Sequence, residues 1–190
     1  IYGMESYLVQ VEVDMSPGLP CFCMVGSLSG EVKESGERVR VALKNMGIHL
    51  PPVHIAVNLS PADIRKEGTA FDLPIAVGVL VSMEQLKKEE TEGILFIGEL
   101  GLNGEIRPVK GVLPIVRAAC ENGIRKCLVP KENEREAGMI NKIEVLAASH
   151  LQQVIEYLKA GPDKKNRVLS PYQKKEREKE EEYSPDFADI

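Results

Sequence analysis

Ser60, Thr69 and Lys110 are the residues from which this chain could assemble hydrolytic chemistry, a hydroxyl attacking once a desolvated lysine has taken its proton. Ser60 and Thr69 fall in residues 58–77, NLSPADIRKEGTAFDLPIAV, where a polar connection joins an alternating apolar run to an apolar helix. Such a junction on a rigid scaffold is where an α/β protein keeps a nucleophile or an anion site. Spacing alone brings Lys110 to neither hydroxyl. Carboxylates are numerous, yet no pair is spaced for acid–base work. Neither a G-x-x-x-x-G-K-[ST] phosphate loop nor a G-x-G-x-x-G turn after a strand occurs.

Cys21 and Cys23 alternate on a predicted strand and so share a face, Cys120 falls on a helix, and Cys127 on another strand. His49, His54 and His150 are scattered, and no cysteine–histidine set has zinc spacing. The expectation is therefore no metal, cofactor or catalytic residue, with the cysteines as reduced core residues of a cytoplasmic protein. Arg38, Arg40, Arg65, Lys66, Arg107 and Lys110 are the candidate contacts for DNA or a partner protein. With 24 basic against 29 acidic residues and a net charge of -5, the chain is no whole-surface nucleic-acid binder, which leaves only a local basic patch. The competing reading is a solvated face with local pairs such as Glu34–Arg38.

The elements that must position these groups follow from periodicity. Residues 7–14 alternate Val9, Val11 and Val13 against polar neighbours, and with 21–25 they read as a β-hairpin. Ser29 caps a predicted helix running to Met46, and 53–59 form a strand with Ile55, Val57 and Leu59 in register. Asp72 is the expected N-cap of a helix to Met83, with Pro74 in the first turn. A second hairpin centres on Asn103-Gly104. Helix, strand, helix, strand and helix follow from Gly111, the last helix opened by a capping box of Ser149 and Gln152. The pattern implies an α/β (α+β) domain with a mixed sheet over 1–158. Residues 159–185 read as a charged linker carrying KKNR and KKEREKEEE, and no apolar run is long enough to span a membrane.

Four segments carry a family resemblance: GLPCFCMVG (18–26), ESGERVRVALKNMG (34–47), residues 58–78, and GELGLNGEIRPVKGVLP (98–114). In order over essentially all of 1–158, they resemble the N-terminal, ChlI-type domain of the bacterial YifB/ComM family of magnesium-chelatase-like AAA+ ATPases. The terminal DFADI (186–190) resembles the opening of that family's AAA+ module. The resemblance extends more distantly to the proteolytic domain of Lon protease and the C-terminal domain of the RadA recombination helicase. It implies a two-layer sandwich of the ribosomal-protein-S-five second-domain type, with a left-handed crossover.

Set against Lon's K-D-G-P-S-A-G, Ala70 stands where the nucleophilic serine belongs, and against its V-L-P-I-G-G-L-K-E-K, Ile115 stands at the dyad lysine. An alanine cannot attack and an isoleucine cannot take a proton. The resemblance thus implies a non-catalytic accessory domain that positions or oligomerises a hexameric ATPase ring. ATP and magnesium would belong to the AAA+ module, together with DNA remodelling linked to natural transformation. A DNA-binding module is the alternative, and a residual hydrolase of Ser60 or Thr69 with Lys110 the third reading.

Overall fold

The computed structural model describes residues 7–174, so DFADI and the last part of the charged stretch lie outside the described residues. In chain order the strands and helices are β1 (Gln10–Ser16), β2 (Cys21–Val25), α1 (Gly30–Lys33), α2 (Ser35–Asn45), β3 (His54–Ser60), α3 (Asp72–Ser82) and α4 (Lys88–Thr91). There follow β4 (Ile94–Phe96), β5 (Glu99–Leu100), β6 (Ile106–Arg107), α5 (Val112–Glu121) and β7 (Lys126–Pro130). The chain continues through α6 (Glu134–Ala137), β8 (Glu144–Ala148), α7 (Leu151–Lys159) and α8 (Lys165–Val168).

The first sheet has the order β1-β3-β2, with β3 antiparallel to β1 and parallel to β2. The expected hairpin of β1 and β2 is therefore corrected. The alternating apolar residues of β3 bury one face completely, and only the central place in the sheet gives both its edges a partner. Ile55, Val57 and Leu59 lie under α2 and α3 in one large core cluster. Helix α3 is apolar almost all round, as expected of a helix enclosed on several sides. It sits close on β1: a Cβ at Gly78 would lie 2.8 Å from a Val13 methyl.

The second sheet, β4-β7-β8, is parallel. Leu128 and Leu146 turn to the cluster that includes α7, while Cys127, Val129 and Val145 turn to the one that includes α5. Covering on both faces explains why β7 and β8 read as short continuous apolar runs. The Asn103-Gly104 hairpin is present but small, pairing β5 with β6, while β4 leaves it to join β7.

Three local expectations are revised. The first helix breaks at Glu34 into α1 and α2, with Ser29 capping α1 by accepting from the Val32 N–H at 3.3 Å. The last helix is capped by His150, which accepts from the Gln152 N–H at 3.0 Å, and Gln153 closes the box. The imidazole replaces Ser149 because His150 is the residue in extended backbone next to the helix. Residues 165–172, expected in the linker, pack back on the domain: Leu169 is buried, and the Tyr172 N–H donates to the Val145 carbonyl at 2.8 Å. Val168, Leu169 and Tyr172, which pack on the two core clusters, are what fasten this otherwise mostly polar stretch.

Candidate functional site

The junction after β3 is held by backbone and by buried charge. The Ser29 N–H donates to the Lys66 carbonyl at 3.0 Å and the Lys66 N–H to the Ser27 carbonyl at 2.9 Å. Further along, the Gly98 N–H donates to Ala70 at 3.1 Å and the Leu73 N–H to Gly98 at 3.0 Å. These bonds clamp the connection between the end of β2 and the start of β5. Gly26 lets the chains meet, since at φ +125° a Cβ there would lie 2.1 Å from the Leu59 carbonyl oxygen.

Asp72 is fully buried and does not cap α3, whose N-cap residue is Phe71. Its carboxylate instead accepts from Arg38 Nε at 2.7 Å, Arg38 Nη2 at 3.1 Å and the Leu100 N–H at 3.0 Å. Arg38 also donates to Ser35 Oγ and the Glu31 carbonyl, and lies 3.5 Å from Glu34. The hydrogen bond to Asp72 holds the Arg38 guanidinium above its ordinary pKa. One ion pair thus joins α2, α3 and β5, and the expected exposed Glu34–Arg38 pair is its outer edge.

Two of the six candidate cations are consequently removed from any DNA surface. Arg38 is spent on Asp72, and Lys66 is buried, its ammonium donating to the Gly26 carbonyl at 2.5 Å and to that of Pro61. The sequence does not distinguish Lys66 from its neighbour Arg65, which is exposed and pairs with Glu67 at 3.3 Å. Arg40 pairs with Glu37, Arg107 pairs with Glu105 at 3.1 Å, and Lys110 is exposed. Each exposed arginine of the set thus has a glutamate beside it, so its surface is dipolar rather than positive.

Ala70 and Ile115 do come together. Both line a cavity of about 660 Å³, with Val11, Phe71, Val77 and Phe96 among its other walls. Ser60, Thr69 and Lys110 are absent from that lining, and among the described residues no hydrogen bond connects the three. The cavity that holds Ala70 and Ile115 is therefore lined chiefly by apolar side chains, while the hydroxyls and amine needed for the hydrolase reading stand elsewhere.

The cysteines also depart from expectation. Cys21 is exposed and Cys23 half-buried, and the pairing of β2 with β3 sets His54 opposite Cys21. The three ligand atoms lie within 4.8 Å of one another, a cluster that linear spacing hid because His54 arrives from another strand. Only Cys127 is buried among the four, and burial pushes its thiol up to about 12. Its thiolate is then negligible at about pH 8, where alkylation needs thiolate. Iodoacetamide is expected to label Cys21 in the folded chain and to leave Cys127 unlabelled until denaturant is added, as peptide mass mapping would read.

A family model for subunit ChlI of magnesium chelatase matches residues 11–133. YifB of Escherichia coli (strain K12) is 42% identical over 156 residues, 82% of this chain and 31% of its own length. Competence protein ComM of Haemophilus influenzae is 40% identical over 156 residues, again 82% of this chain and 30% of its own. Lon protease 2 of Bacillus subtilis is 29% identical over 131 residues, 68% of this chain and 23% of its own. The chain spans about a third of the length of the first two relatives. With this coverage and identity, the chain belongs to the YifB/ComM family of magnesium-chelatase-like proteins.

Proposed function

We propose that this domain is a non-catalytic accessory module of a magnesium-chelatase-like AAA+ ATPase, placed N-terminal to the motor, which it helps to position or oligomerise. The observation that carries the reading is the pair Ala70 and Ile115, which line one cavity at the places where Lon's serine and lysine belong. A scaffold that keeps its shape and loses both reacting groups serves contact rather than cleavage. We assign it to the two-layer, ribosomal-protein-S-five-like sandwich, with the crossover from β2 through α1 and α2 to the parallel strand β3 as the left-handed one. That hand is rare for such connections. ATP, magnesium, the hexameric ring and DNA remodelling belong in this reading to the motor, and the competence relative's name supplies only the link to competence.

Deleting residues 1–172 from the full-length protein is expected to lower ATPase and DNA-remodelling rates together and to shift its assembly toward smaller species by sedimentation. The cut falls after Tyr172 so that no apolar flap is stranded. Unchanged rates and unchanged assembly would overturn the reading.

A further inference from the structure

The outer face of the first sheet carries a cluster that the junction does not use. Side chains two apart on a strand share a face, so Cys21 and Cys23 stand on one side of β2, and the parallel register adds His54 beside Cys21. Ile55 and Val57 turn into the core, which leaves the trio on the opposite face, covered by no helix among the described residues. Cys21 Sγ lies 3.4 Å from Cys23 Sγ and 2.9 Å from His54 Nδ1. Ligand atoms around a tetrahedral zinc ion, at Zn–S ~2.3 Å and Zn–N ~2.0 Å, stand ~3.5–3.8 Å apart. Small side-chain rotations would therefore admit the ion without moving either strand.

We propose that Cys21, Cys23 and His54 form a surface zinc site, with two thiolates and one imidazole as ligands and a fourth position open to water. Entry of Zn²⁺ releases the two thiol protons to solvent, and the two thiolates then cancel the charge of the ion. Thiolate and imidazole donors choose zinc over magnesium, which demands oxygen ligands, so this site is separate from any nucleotide-bound magnesium of a motor. The β1 register sets Glu12 and Asp14 on the same face of the sheet as the trio, where their charge favours an incoming cation.

The test uses the reduced 190-residue chain with Co²⁺ as a spectroscopic probe and Zn²⁺ as its competitor. The expected result is one ion per chain, a thiolate-to-cobalt charge-transfer band, and loss of that band on adding Zn²⁺. Cys21→Ser, Cys23→Ser and His54→Ala are each expected to weaken binding by at least ~10-fold, whereas Cys120→Ser leaves it unchanged. In the unmutated chain Zn²⁺ should slow alkylation of Cys21 and Cys23 but not of Cys120, a readout that needs no variant to fold. Absence of the band, unchanged uptake in the Cys21→Ser/Cys23→Ser double variant, or a Cys21–Cys23 disulfide with no uptake by the reduced chain would each overturn the proposal.

Discussion

Replacing Arg38 with alanine is expected to destabilise the domain by about 3–5 kcal/mol, the range for removing one partner of a buried ion pair. Asp72 has no exposure, and two of its three hydrogen bonds come from this guanidinium. Without Arg38 the carboxylate keeps only the Leu100 N–H and must stay charged in a dry site or take up a proton. Asp72→Asn is expected to cost less, because Arg38 keeps 18% exposure and its bonds to Ser35 and Glu31. Glu34→Ala should shift stability by no more than ~1 kcal/mol, because Glu34 is solvated and its contact is the outer one. Urea unfolding followed by circular dichroism orders the three variants. An Arg38→Ala midpoint equal to that of Glu34→Ala would show that Asp72 does not depend on its partner.

Lys66→Met should be the second large effect, a loss of about 2–3 kcal/mol, since two backbone carbonyls lose a charged donor and one of them sits in the packed junction. Methionine keeps the volume of the stem, so a cavity does not confuse the result. Arg65→Ala, one residue away, is expected to stay within ~0.5 kcal/mol, because its side chain is 64% exposed and, among the described residues, pairs only with Glu67. The same two variants discriminate the DNA reading. Were this face a DNA surface, both would weaken binding with a shallower salt dependence and leave the fold intact. The geometry predicts the reverse for Lys66: stability falls, and any change in DNA affinity follows unfolding.

Periodicity sufficed for most element types. The valines of β1, the alternation of β3 and the apolar run of α3 each reported burial on a definite face, because burial acts residue by residue on the pattern. Strand neighbours were not legible. Alternation in β1 and a turn before β2 are equally consistent with a hairpin and with two strands flanking a third, and the choice rests on a crossover that no local window contains. The caps slid by one residue for a related reason, since Asp72 and Ser149 are both acceptable N-caps until tertiary contacts claim Asp72 and backbone angles favour His150.

By itself the sequence determined the mixed α/β class, the family, and the absence of a serine and a lysine at the two Lon-equivalent positions, since these follow from residue identity and order. Only the tertiary structure decided what the charged and sulfur-bearing side chains are for. Lys66 and Arg65 are adjacent cations in the sequence, and one is buried under two carbonyls while the other meets water. Cys21, Cys23 and His54 look unrelated until β2 lies beside β3 in one register. The physical reason is common to both: solvation and through-space distance set what a charge or a thiol can do, and chain separation encodes neither.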